Sequence, residues 1–397
     1  MTGLVSLLRQ TLDTIRLLPQ GGPSCCNIAV TNVCNATCDF CGYAKDKILV
    51  NDWIWIDYDD TLAALDILYD RGVRYLTFSG GEPLLHPRLL DMVAYAVAKG
   101  MRPSIITNGS PLTPRNLEKL KTSGLKTLFI SIDSPDAAAH EANRGLKGVF
   151  ARIRQANAAL KPAGIKTVAS VTINRLIDDY ERLAHTLREL GFETVTFTYP
   201  KRELHSSSLV FSDSSSLIDF SDDELVERLE AVKRLKRRFS VLNPAESLSE
   251  MIRFVRGEPQ MFPCFGGAKY FYLDYKMDVY RCDFWATRMC SIWEFKDAPA
   301  IRDGCTKCMS VCYRDSSVLL HFPVSLGDAL GLLRRGRLAA AARTLMTTSN
   351  RRSLKALMQE WRTLKKLAKV EPPSSAVGRQ ISTPQDVRIE PAAAGDD

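Results

Sequence analysis

Cys34, Cys38 and Cys41 follow an apolar, β-rich run and are spaced C-x3-C-x2-C. Thiolates at such spacing can wrap one metal centre in a single loop, and they are the usual protein ligands of iron–sulfur clusters. Three ligands instead of four is informative. A cubane held at three irons keeps its fourth iron open, much as catalytic metal sites keep a position for substrate. A zinc knuckle or buried structural thiols remain competing readings of the spacing alone. A second set, Cys264, Cys282, Cys290, Cys305, Cys308 and Cys312, closes with C-x2-C-x3-C. Cys25 and Cys26 sit just before the apolar core of the first β-rich run and read as packing residues, and the five histidines show no ligand spacing.

The elements that must position these residues alternate. Strands are expected at Asn27–Asn32, Arg74–Ser79, Pro103–Thr107, Thr127–Ile132, Thr167–Ile173 and Thr194–Tyr199. Helices are expected between them at Tyr58–Asp70, Leu89–Lys99, Pro114–Thr122, Val149–Lys161 and Asp179–Leu190. This is the rhythm of βα units around a parallel sheet, whose right-handed crossovers bring all strand C-terminal ends to one side, where ligands bind. The fold class is α/β, an open barrel of six units. A serine-rich loop from Lys201 to Asp219 departs from the rhythm and is expected to cover the site; a helix over Asp222–Arg238 follows, capped by Ser221 and Glu224.

With a strand leading into the three-cysteine loop, Phe40 just before the last cysteine, and Ser79-Gly80-Gly81-Glu82-Pro83 ending the second strand, residues 25 to about 200 resemble the radical S-adenosylmethionine (SAM) superfamily. The resemblance implies a partial (β/α)6 barrel with a 4Fe-4S cluster on Cys34, Cys38 and Cys41. It implies SAM contacts at Phe40, at Gly80, Gly81 and Glu82 for the amino group, at Ser131 for the ribose, at Arg144 for the carboxylate and at Asn174 beside the adenine. Paired glycines would let backbone approach a ligand closely, and a guanidinium fork matches a carboxylate. The implied reaction is reductive cleavage of SAM to a 5′-deoxyadenosyl radical that removes hydrogen from a substrate, with a reductant such as flavodoxin or ferredoxin.

The second cysteine set resembles SPASM or twitch extensions, which hold auxiliary clusters. It departs from them at Met277, where a glycine is expected, in the long Cys264-to-Cys282 interval, and in lacking the final cysteine run. One auxiliary cluster is expected, on Cys264, Cys282 and two or three of Cys305, Cys308 and Cys312, with Cys290 as a further candidate and a four-cysteine zinc site as the alternative. Glu203, His205, Asp274 and Asp283 are unranked acid/base or substrate candidates; no catalytic residue is assigned.

Composition bounds the rest. The chain has 397 residues, 45% hydrophobic and 25% charged, which is ordinary for a globular protein. Eleven cysteines are many for a reducing compartment, where disulfides are rare, so ligation is the better reading. No apolar run is expected to span a bilayer and no signal peptide is evident, so a cytoplasmic location is expected. Between residues 333 and 370 eleven basic residues face Glu360 alone, beside an apolar stripe of Leu354, Leu357, Met358, Trp361, Leu364 and Ala368. Such a helix reads as an interfacial membrane helix, giving peripheral contact at the inner face and a lipid or isoprenoid-like small-molecule substrate. The alternatives are a stripe packed on the barrel, a ribosomal-peptide maturase and, from another class, a non-catalytic zinc protein; nucleic acid is not expected. The expected domains are an amphipathic N-terminal helix (1–24), the barrel (25–220), a linker helix with the cysteine-rich module (221–325), basic amphipathic helices (326–370) and a disordered tail (371–397).

Overall fold

The computed structural model describes residues 16–200 and 215–368. Strands β1 (Ser24–Ala29), β2 (Val73–Ser79), β3 (Arg102–Thr107), β4 (Thr127–Ser131), β5 (Lys166–Thr172) and β6 (Thr194–Thr198) pair in parallel in chain order. These are the six expected strands. Two helices, Tyr58–Asp70 and Pro114–Thr122, keep their expected bounds because Asp57 and Thr113 cap their N-termini, accepting from Asp60 N and Asn116 N.

Several features differ from expectation. β1 starts and ends three residues early. Its register is set by Ser24 opposite Val73 and Cys25 opposite Tyr270, while Thr31 and Asn32 leave the sheet to bond the segment around Ile54. A short helix, Ala137–Arg144, occupies a stretch for which no element was expected. Asp136 caps it and Gly145 ends it in the left-handed conformation, φ 61°. The cysteine-rich region, expected as a small module of its own, extends the same sheet. β8 (Tyr270–Leu273) pairs in parallel with β1, followed antiparallel by β9 (Asp278–Tyr280) and β10 (Arg288–Ser291). With β7 (Ser240–Val241) beside β6, the sheet has ten strands among the described residues and stays open there, β10 and β7 being its edges.

Helices and strands share one large apolar core running from Cys26 and Ile28 through Phe78, Ile105, Ile130 and Val171 to Phe197. At about 25 cal/mol per Å² of apolar surface buried, that core dominates folding and fixes the sheet as a rigid base. The helix Val311–Arg334 is, by length and composition, long enough and apolar enough to cross a membrane, contrary to the expectation that no segment would be. Only 33% of its apolar stretch is buried, and it is its first turns that are built into the fold. Arg314 is buried beside Glu250, Asp315 accepts from Asn243 and Ser247, and Ser317 accepts from Phe265 N. The N-terminal leucine stripe (Leu4, Leu7, Leu8, Leu12, Ile15), residues 201–214 of the serine-rich loop and the 371–397 tail lie outside the described residues.

Candidate functional site

Each chemically suggestive segment follows a strand's C-terminal end. The cysteine loop leaves β1 and is clamped by the turn after β2: Gly81 N donates to Thr31 O and Glu82 N to Val33 O, both at 2.8 Å. A Cβ on Gly80 would lie 2.3 Å from Thr31 O, and one on Gly81 2.1 Å from Val33 O. The glycines are therefore needed for the cysteine loop itself to pass. Glu82 is fully buried and accepts from Leu84 N (3.0 Å), Thr107 Oγ1 (2.8 Å) and Asn108 N (2.7 Å). It thus ties the ends of β2 and β3 together. Burial pushes its pKa up to about 7, against those hydrogen bonds.

The turn after β3 reaches the first cysteine. Asn108 Nδ2 donates to Asn35 Oδ1 (2.8 Å) and lies 3.8 Å from Cys34 Sγ, which also receives Ala36 N at 3.5 Å. The turn after β4 supplies the charge. Asp133 and Arg144 form a buried ion pair at 2.6 Å, with Asn143 Nδ2 donating to the second Asp133 oxygen. Burial would raise the Asp133 pKa, yet Arg144 holds it below the usual carboxylate range. Arg144 also exerts its field on Cys34, Cys38 and Cys41, and its carbonyl accepts from Thr37 N. The guanidinium expected to take SAM's carboxylate is thus already committed to Asp133, with its Nε buried and unpartnered.

Asn174, expected beside the adenine, is fully buried, spends both amide protons on Asp133 O and Thr172 O and accepts from Leu176 N, so it joins the ends of β4 and β5. Ser131 ends β4 opposite Ser170. Phe40 is buried against Ile218, and Ser215 Oγ donates to Asp39 Oδ2, so the described end of the serine-rich loop lies over the cysteine loop. His140 escaped sequence reasoning: buried, with Nδ1 accepting from Asp133 N and its pKa lowered to about 4 by burial, it is neutral. Its signal was only a histidine nine residues past the end of β4.

A cluster would fit these residues. Burial raises the pKa of all three thiols, that of Cys34 to about 12, so they become thiolates only against a cationic partner. Among the described residues no three His, Cys, Asp or Glu side chains converge on a point suited to one metal ion. Three thiols on one short loop, each ionising only against a cation, are the donor set that a cluster takes.

The second set divides. Cys264 lies within the field of Cys305, and Cys282 within those of Cys308 and Cys264; Cys264 N donates to Cys305 O at 2.8 Å. Cys312 also exerts its field on Cys25, and both pack with Cys305 against the group of Cys264, Tyr270 and Cys282. Cys25, read as a packing residue, therefore joins this neighbourhood through the β1–β8 pairing. Cys290 lies apart on β10, near Glu294, Arg288 and Arg71. Arg281 and Asp303 form a two-bond ion pair at 2.7 and 2.9 Å that braces the segment, and Asp303 accepts from Cys305 N. Met277 has φ 64°, the left-handed conformation a glycine would supply. Asp274, an acid/base candidate, accepts from Lys276 N and Asp278 N and so closes the β8–β9 turn. Asp283 accepts from Ser310 Oγ beside Cys282. Glu203 and His205 lie outside the described residues.

Residues 28–190 match the radical SAM superfamily. A 163-residue stretch is 34% identical to the AdoMet-dependent heme synthase of Nitratidesulfovibrio vulgaris, covering 40% of this chain and 44% of that protein. Over 170 residues it is 32% identical to the PqqA peptide cyclase of Ruegeria pomeroyi, covering 41% and 43%. The chain thus spans less than half the length of these relatives. The solved structure of native anSMEcpe with bound AdoMet and Kp18Cys peptide shares the fold, with TM-score 0.53 and 15% identity over 72% of this chain and 86% of that one.

Proposed function

From the radical SAM domain that residues 28–190 form, we propose that this protein cleaves SAM reductively and uses the resulting radical to abstract hydrogen from a substrate. The observation that carries the reading is the convergence on one cysteine loop of the turns after β2, β3 and β4. When bound, the 4Fe-4S cluster and SAM supply the chemistry: one electron from a reductant such as flavodoxin or ferredoxin splits SAM into methionine and a 5′-deoxyadenosyl radical. Cys34, Cys38 and Cys41 would hold the cluster and leave one iron for SAM. The Arg144–Asp133 pair lies beside the three cysteines, Asn108 and Ala36 direct donors at Cys34, and Glu82 borders the same pocket. Cys264, Cys282, Cys305 and Cys308 would hold one auxiliary cluster.

The substrate reading is an apolar small molecule, lipid or isoprenoid-like. Its support is the segment after the cysteine loop, bonded to Asn32 and Thr31, which exposes Leu49 (74%), Val50 (66%), Trp53 and Trp55. Likeness to a heme synthase also favours a small molecule. Likeness to a peptide cyclase supports the second reading, a ribosomal-peptide maturase.

Anaerobically purified protein should be brown, absorb near ~400 nm and hold roughly eight irons per chain, as two cubanes require. Replacing Cys34, Cys38 and Cys41 together by alanine should abolish 5′-deoxyadenosine formation while auxiliary iron persists. Continued SAM cleavage by that variant, or a colourless zinc-loaded protein, refutes the assignment. Comparing lipids, metabolites and peptides of a deletion strain with its parent separates the two substrates: an accumulating unmodified lipid or small molecule supports the first, and a change confined to a peptide supports the second.

A further inference from the structure

The helices Leu338–Leu345 and Thr348–Ala368 fold back on the helix Val311–Arg334 in an unusual orientation for an amphipathic arm. The face turned to the body is small and polar. Ser353 Oγ donates to Val318 O (2.6 Å) and accepts from Phe322 N (3.0 Å), Ala356 packs with Phe262 and Val318, and Ser349 Oγ donates to Met261 O (2.9 Å). Large aliphatic side chains are left outside: Leu338 is 70% exposed, Met346 71% and Met358 64%, with Leu333 and Leu354 exposed as well. This excludes the reading in which Leu354 and Met358 pack on the barrel.

Charge is sorted the same way. Glu360, the lone acid between residues 333 and 370, is buried and paired with Lys236 at 2.9 Å. Arg352 is held by Glu246. Arg334, Arg335, Arg337, Arg343, Arg351 and Lys355 are exposed, and none meets a carboxylate among the described residues. The outer surface therefore combines uncompensated positive charge with exposed leucine and methionine.

We propose that this arm docks the protein on an anionic lipid bilayer, aliphatic side chains entering the headgroup region and basic ones meeting lipid phosphates, whichever substrate the catalytic site takes. Both halves of the surface gain from that partner. A nucleic acid would use the charge but not the aliphatic residues, since single strands stack on aromatic rings and, among the described residues of the arm, the large apolar ones exposed are leucine and methionine. A second copy of the chain would meet the same positive charge.

The test is flotation of the full-length holoprotein with phosphatidylcholine vesicles, with and without phosphatidylglycerol. The protein should float only with the anionic vesicles, and high salt should weaken binding by screening. Replacing Arg343, Arg351 and Lys355 together by glutamate should lower partitioning at least about a hundredfold, since each basic residue near an anionic surface accounts for roughly a factor of five. Leu338→Ser with Met346→Ser should also release the protein. Unchanged melting and SAM cleavage of both variants would show that they fold. The proposal is overturned if the full chain stays unbound with both vesicles, if the charge variant floats like the parent, if RNA is retained without flotation, or if the serine variant only dissolves a dimer. SAM cleavage is measured separately, so failure here leaves the catalytic reading standing, and the reverse.

Discussion

Arg144 Nη2 lies 2.6 Å from Asp133 Oδ1 beneath the cysteine loop, and both side chains are buried. The pair joins the turn after β4 to the end of the helix Ala137–Arg144, so one interaction sets both the strand ends and the charge facing the three thiols. Breaking a buried pair from one side leaves an uncompensated charge, which typically costs about 3–5 kcal/mol. Asp133→Ala should lower unfolding stability by that amount in urea titrations and reduce iron retained on Cys34, Cys38 and Cys41. An unchanged midpoint would remove the pair from the account of the site.

Gly81 offers a steric test. With a Cβ 2.1 Å from Val33 O, alanine there cannot be accommodated unless the cysteine loop moves. Gly81→Ala should cost at least about 3 kcal/mol, the upper range for overpacking, and abolish 5′-deoxyadenosine formation even where protein is recovered. Activity near the parent's would show that the loop passes elsewhere.

Asp315 should leave a pH signature. Burial raises its pKa from 3.8 to about 6, against hydrogen bonds from Ser247 and Asn243. For an acid whose folded pKa is raised, the stability contribution is full below the unfolded pKa and is lost as pH rises through the folded one. The parent should therefore lose up to about 3 kcal/mol relative to Asp315→Asn between about pH 4 and about pH 7. Parallel stability curves for the two proteins would contradict this.

The auxiliary ligands can be separated by iron content. Cys308 neighbours Cys282, whereas Cys312 neighbours Cys25 at the edge of the group of Cys264 and Cys282, so the fourth ligand lies between them and we assign it to Cys308. Cys308→Ala should lose about four irons per chain and Cys312→Ala should keep them. The opposite result would exchange the two cysteines in the ligand set.

Much of this was legible in the chain itself because it depends on local spacing. The C-x3-C-x2-C loop, the Gly-Gly-Glu turn and the alternation of β-branched runs with 3.6-residue periods identify six βα units and their functional end. Met277 shows how far local reading goes. The position where glycine was expected does adopt φ 64°, so the backbone requirement survives a change of residue.

Pairings between distant segments were not legible, because no periodicity encodes them. The partner of Arg144 proved to be Asp133, Asn174 was spent on the ends of β4 and β5, and Cys25 reached Tyr270 and Cys312 only through the parallel pairing of β1 with β8. The direction of the basic arm was equally hidden. Its helical period marks an apolar stripe, but only docking through Ser353 and Ala356 decides that Leu354 and Met358 face outward. Spacing along the chain determined which residue types could bind iron and on what elements. Tertiary structure decided which charges are already neutralised and which faces remain exposed, since burial and electrostatics depend on distance in space and not along the chain.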